Sequence, residues 1–174
     1  RCGTPPNDSS SLQTGPFNFC TSPLGSTCAG PIVVPQPLGY FDVSNTLEYG
    51  NNINTAGTGT GCNATGNFLA GNDVVYQYTN PNAINQIINI RMNPGTATNT
   101  GLFVYNSCAN VGVNCLAGVG NANATIREIA ALTLTPGQTI YNVLSYAEAK
   151  VSYPYTLTIQ EVACTAPING TAVA

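Results

Sequence analysis

Histidine and tryptophan are absent from this chain, and charge is nearly so: 4 Lys and Arg with 7 Asp and Glu make up 6 % of its 174 residues, where soluble domains ordinarily carry about 25 %. Losing histidine removes the usual general base, the commonest metal ligand and the pH switch near neutrality together. Four scattered basic residues (Arg1, Arg91, Arg127, Lys150) at a net charge of −3 displace few counterions from a phosphate backbone, so no nucleic acid is expected as partner. Docking on anionic lipid fails for the same reason. Long apolar runs are missing too. Pro31, Pro35 and Pro37 interrupt the most hydrophobic N-terminal stretch, well short of the ~20 residues a membrane helix requires, and no membrane insertion is expected. The chain also lacks a basic segment followed by an apolar one, so the expectation is that any export signal has been removed or lies outside this sequence.

What is plentiful is cysteine, asparagine, threonine and glycine. Seven cysteines (Cys2, Cys20, Cys28, Cys62, Cys108, Cys115, Cys164) with no CxxC pair predict disulfides and an oxidising, extracellular setting at or near a cell surface. The tightest spacings, Cys108 to Cys115 and Cys20 to Cys28, suit disulfide loops better than zinc. A Cys108–Cys115 bridge is expected because the run between them is short and turn-like, with Cys20 pairing to Cys28, or one of these two holding the loop around Cys62. An odd count leaves one cysteine free or bonded outside the chain.

Strand signals recur along the sequence and helix signals do not. The segments 73–79, 86–92, 101–105, 124–134, 138–146 and 153–162 are β-branched, aromatic or alternating, and turn chemistry separates them: Asn80-Pro81-Asn82, Asn93-Pro94-Gly95, Pro136-Gly137. This predicts an all-β fold, an antiparallel β-sandwich or jelly roll, over residues 41–162. Only 126–134, with Glu128 and two alanines, could be mistaken for a helical turn. Residues 1–40 hold seven of the twelve prolines and read as an extended arm packing on the sandwich, with edge strands near 32–34 and 40–43. Residues 50–72, rich in Gly, Asn and Thr, read as a long loop pinned by Cys62.

The two ends echo one another: Cys2-Gly3-Thr4-Pro5-Pro6-Asn7 and Cys164-Thr165-Ala166-Pro167-Ile168-Asn169 share C-x-x-P-x-N at a separation of 162 residues. This makes 163–174 a linker or the start of a next unit, with Cys164, Pro167 and Asn169 standing to that unit as Cys2, Pro5 and Asn7 stand to this one. The pieces GNDVVYQYT (71–79), GLFVYNSC (101–108) closed by Cys115, LTLTPGQTIYNVL (132–144) and YPYTLTIQ (153–160), with the opening C-x-x-P-x-N-D, resemble the pre-peptidase C-terminal-like β-sandwich modules of large secreted bacterial proteins, especially of Bacteroidetes. The resemblance implies a non-catalytic extracellular module appended to, or repeated within, a secreted or surface protein.

Catalysis has little to draw on. Asp42 and Glu48 lie six residues apart, but Asn45-Thr46 reads as a turn between them, and Asp73 reads as a strand-entry residue bonding local N–H groups. No Ser or Cys has a His partner and no phosphate loop appears, so no enzyme and no cofactor is expected. Asp42, Glu48 and Asp73 supply hard oxygens and are the calcium candidates, although their spacing matches no calcium loop. Sugar binding would rest on Tyr40 and Tyr49 as exposed platforms beside loops, the other tyrosines sitting in strand contexts. Four N-x-S/T sequons occur, at Asn7, Asn63, Asn123 and Asn169, the number expected by chance from 22 Asn and 30 Ser plus Thr. The Thr-rich loops offer O-linked sites, and a glycan coat would keep a nearly uncharged surface soluble.

With little charge to keep copies apart, the expected role is a structural module that contacts copies of itself or adjacent modules of the same protein in a filament, stalk or adhesin. The alternative is a carbohydrate-binding accessory module of a secreted enzyme or adhesin.

Overall fold

A computed structural model describes residues 22–53, 62, 68–149 and 151–162. Nine strands lie among them: β1 (Ile32–Val33), β2 (Tyr40–Asn45), β3 (Val74–Thr79), β4 (Gln86–Asn93), β5 (Thr100–Tyr105), β6 (Ala117–Asn121), β7 (Arg127–Leu134), β8 (Thr139–Tyr146) and β9 (Pro154–Glu161). They form a five-stranded sheet in the order β1-β3-β8-β5-β6 and a four-stranded sheet in the order β2-β9-β4-β7, antiparallel except where the short β1 runs beside β3. The architecture is an all-β sandwich.

Side chains alternate across each strand, and the inward set makes the main core: Val74, Tyr76 and Tyr78 of β3, Ile88, Ile90 and Met92 of β4, Leu102 and Val104 of β5, Ile140 and Leu144 of β8, Tyr155, Leu157 and Ile159 of β9. At roughly 1.5–3 kcal/mol for each large side chain taken from water, this layer dominates the stability of the fold. A second core lies on the far side of the five-stranded sheet, where Val75, Phe103, Tyr105 and Val143 meet Ile53, Phe68, Leu69, Val111 and Cys115. Both faces of β5 are therefore covered, which is why its sequence reads as a continuous apolar run.

One strand is not visible in the residue pattern. β6 is Ala-Gly-Val-Gly-Asn, poor in every β-forming residue, yet its glycines are what the second core demands. A Cβ on Gly118 would come within 2.5 Å of Cδ1 of Phe103, and one on Gly120 within 2.5 Å of Cδ2 of Phe68. The rings lie flat on the backbone, so only hydrogen fits beneath them. The ambiguous segment near residue 130 is strand β7 with a bulge: two residues, Ala130 and Ala131, face Asn89 alone, Ala131 takes a positive φ of 53°, and its N–H donates to Asn89 Oδ1 at 2.8 Å.

The disulfides differ from the local pairings expected. Cys28 is bonded to Cys108 and Cys62 to Cys115, with Cα separations of 5.5 and 5.8 Å. Cys108 therefore pairs with neither Cys115 nor a near neighbour, and Cys20 cannot pair with Cys28. The run between Cys108 and Cys115 closes without sulfur: it forms a 3-10 turn at Cys108–Asn110, a positive-φ Gly112, and backbone bonds from Val113 and Asn114 to the Asn110 carbonyl. That folding sends Cys115 toward β6 and leaves Cys108 beside the N-terminal segment. Cys2, Cys20 and Cys164, with Pro5, Pro167 and Asn169, lie outside the described residues.

The two sheets meet at the β6–β7 corner, held by Arg127, which is fully buried. Its Nε donates to Thr100 O at 2.9 Å, one terminal nitrogen to the carbonyl and hydroxyl of Thr125, and the other to the carbonyls of Asn121 and Asn123 at 2.9 and 2.6 Å. All five donors are satisfied without a carboxylate, and burial lowers the guanidinium pKa.

Candidate functional site: the uncovered face and edge of the four-stranded sheet

At the opposite side of the sandwich stand β1 and β2, each the outermost strand of its sheet. Alternation along β2 turns Tyr40, Asp42 and Ser44 toward the interior and Phe41 and Val43 outward, where they are 62 % and 65 % exposed. Val33 on β1 and Leu47 in the 3-10 turn after β2 are exposed as well. No described residue pairs with the free edge of β2, and that strand carries no Lys, no Pro and no outward charge of the kind that usually blunts an edge.

Cross-strand register extends this surface over the whole outer face. Phe41, Thr158, Arg91 and Glu128 form one row, and Val43, Thr156 and Asn93 the next. Two shallow depressions share Asn93 and Thr156. One is lined by Arg91, Ile126 and Thr158 as well, the other by Val43, Gly95, Pro154 and Tyr155. The face is flat, uncharged apart from Arg91 and Glu128, and mixed in polarity. Such a surface can bind by stacking, hydrogen bonding and strand addition; it places no nucleophile beside a base.

The inner side of β2 carries the tyrosines and carboxylate singled out in the sequence. Tyr40 and Tyr49 are not exposed platforms: both are half-buried and pack on the main core, Tyr40 because the β2 alternation assigns the outward positions to Phe41 and Val43, and Tyr49 from the end of the 3-10 turn that follows β2. Tyr40 meets Tyr76 edge-on at 6.0 Å, and the contact continues through Tyr155 (6.5 Å), Tyr153 (6.2 Å) and Tyr146 (5.9 Å). Asp42 accepts from the Tyr76 hydroxyl, which also lies 2.5 Å from that of Tyr155, while Ser44 Oγ and the Tyr49 hydroxyl are 3.2 Å apart. Burial, followed by the Asp42 carboxylate, pushes the Tyr40 phenol up to about 12; burial drives Tyr76 and Tyr155 up as well. These phenols stay neutral, and those of Tyr76 and Tyr155 act as hydrogen-bonding cross-links.

Asp42, Glu48 and Asp73 do not converge. Glu48 is exposed in the 3-10 turn that Asn45 caps through its side chain to Leu47 N at 2.9 Å. Asp73 is buried beneath the second core, its Oδ2 accepting from Asn52 N at 3.2 Å and Ile53 N at 2.8 Å. Burial raises its carboxyl to about 7, while the Ser145 hydroxyl and the two backbone N–H groups pull the other way. Among the described residues no three His, Cys, Asp or Glu side chains come together as a metal site, and no helix is long and apolar enough to cross a membrane.

The outward pair Phe41 and Val43 went unnoticed in the sequence, although strand parity within YFDVSN was the available signal once β2 was anchored to β9. The fold at this point defines the protein as a β-sandwich, antiparallel apart from β1, in which one outer face is sealed by a second core and the other is bare among the described residues. No family model and no curated protein matches the chain. Among solved structures it is similar to the pre-peptidase C-terminal domain of a collagenase from Bacillus anthracis, with 15 % identity, a TM-score of 0.46 and coverage of 75 % of this chain and 94 % of that one. It is also similar to PliG of Aeromonas hydrophila, a periplasmic inhibitor of g-type lysozyme, with 9 % identity, a TM-score of 0.42 and coverage of 76 % and 96 %.

Proposed function

We propose that the chain is a non-catalytic structural module of an extracellular protein, whose copies or neighbouring units associate into a filament, stalk or adhesin. The observation that carries this reading is that, among the described residues, one outer face and the β2 edge are bare while the other face is sealed with a second core and two disulfides. The two long-range disulfides among the described residues favour an oxidising compartment. The groups that would serve chemistry have structural occupations: Asp42 on a phenol, Asp73 on a loop, Arg127 on main-chain carbonyls. Sedimentation and negative-stain microscopy of the purified full chain test the reading. Concentration-dependent growth into regular oligomers or fibres is expected, only weakly dependent on salt because few charges take part. A monodisperse monomer at every concentration would overturn it.

A second reading, carbohydrate binding, is favoured by the row of Phe41, Thr158 and Arg91 beside Asn93, which puts an aromatic ring, hydroxyls, an amide and a guanidinium on one face. Saturable binding of a glycan that disappears with both Phe41→Ala and Arg91→Ala would promote it over the structural role.

A further inference from the structure

We infer that the free edge of β2 accepts a strand from a second copy of this chain, and that the donated strand is the 170–174 segment, Gly-Thr-Ala-Val-Ala. The inference rests on the self-association reading and specifies both halves of the contact. On the acceptor side, β2 offers six residues whose outer edge has no partner among the described residues, with Phe41 and Val43 exposed beside it. An open edge of this length with apolar outward side chains is a template for strand addition, in which main-chain bonds supply affinity and alternate side chains supply register.

On the donor side, residues 163–174 lie outside the described residues and carry no charge, so nothing repels them from a neutral edge. Pro167 lacks a donor and Asn169-Gly170 is a turn signal, which leaves 170–174 as the run able to pair along its whole length. Thr171 and Val173 alternate with Ala172 and Ala174, small enough to lie beside Phe41 and Val43 without crowding.

A second copy suits the geometry better than the same one. The Val162 N–H still donates to the Ile87 carbonyl at 2.8 Å, so residue 162 is held on the β4 side of β9, away from β2. Residues 34–39 enter β2 at that same end, with Leu38 packed on the core, and a segment returning to its own β2 edge would have to pass this lead-in. The seven residues 163–169 span about 23 Å when extended, enough to reach a neighbour stacked at the end of the sheet.

The test uses the full chain and two variants. Val43→Lys puts a charge on the exposed acceptor edge, and Ala172→Pro removes a donor from the 170–174 segment while changing no residue of the sandwich. Sedimentation across a concentration series is combined with hydrogen exchange of the 40–45 peptide. Wild-type protein should assemble, with 40–45 becoming protected as concentration rises. Each variant should raise the concentration at half-assembly roughly tenfold or more, the loss expected of a central contact. Protection of 40–45 that is independent of concentration would mean that a segment of the same copy covers the edge, and would overturn the inference. Unaltered assembly in both variants would overturn it while leaving the structural reading standing. A wild-type chain that never assembles would overturn both.

Discussion

The two sheets treat their outer faces in opposite ways. Beyond the five-stranded sheet lies a second apolar layer, with Phe103 pressed between glycines and loop residues and the two described disulfides on that side. Beyond the four-stranded sheet lies nothing among the described residues: Phe41 stands 62 % exposed in a row of Thr and Arg. The same residue type thus does two jobs. Where it is covered it holds a loop to the sheet, and where it is bare it is available to something else.

Replacing each phenylalanine with alanine is the most direct way to break the comparison. Phe103→Ala should lower the unfolding free energy by about 3–5 kcal/mol, since it empties a packed site next to Phe68 and the Cys62–Cys115 bridge. Phe41→Ala should change monomer stability by no more than about 0.5 kcal/mol. Denaturant titration under non-associating conditions measures both, and comparable losses would mean that the four-stranded sheet is also covered.

A smaller effect is expected from Cys62→Ser with Cys115→Ser, which frees a loop with a sequence separation of 53 residues and should cost about 2–4 kcal/mol. The loss should appear as faster hydrogen exchange in the second core and leave β2, β4, β7 and β9 largely unchanged.

Asp73 sharpens the comparison with pH. Its carboxyl titrates at about 7 when folded, against an ordinary value of 3.8 once the chain unfolds, so between these values the folded chain holds a proton that the unfolded chain has released. The Asp73 contribution to stability should therefore be greatest below about pH 4, fall as the pH rises through about 7, and level off above it, at about 1.4 kcal/mol per unit of pKa difference as an upper bound. Asp73→Asn should be more stable than wild type at pH 8 and nearly equal to it at pH 4. A flat difference across that range would show that the carboxylate is better hydrated than its position implies.

Much of the inner layer was legible because burial on one face imposes a period of two, as in QIINIRMN and YPYTLTIQ. β6 was not, because its glycines answer to rings that arrive from residues 68 and 103, and no local pattern encodes that approach. The disulfides were misassigned for a related reason. Short spacing suggested a closed loop between Cys108 and Cys115, but main-chain bonds closed it first and left the sulfurs to partners 80 and 53 residues away. At the candidate site the tyrosines drew attention through their chemistry, while parity sent them inward and left Phe41 and Val43 outside.

Arg127 has a consequence for how the β6–β7 corner can vary. Of the atoms its guanidinium grips, all but the Thr125 hydroxyl are peptide oxygens, two of them in the turn itself and one at the end of β6. Peptide oxygens are the same whatever side chains accompany them, so residues 122–124 can be exchanged freely without loosening the junction between the sheets, provided the turn keeps its length. The corner is anchored from within and unconstrained in sequence at its surface, and Asn123, exposed at its tip, sits where a lineage could add, remove or decorate side chains without disturbing the sandwich beneath.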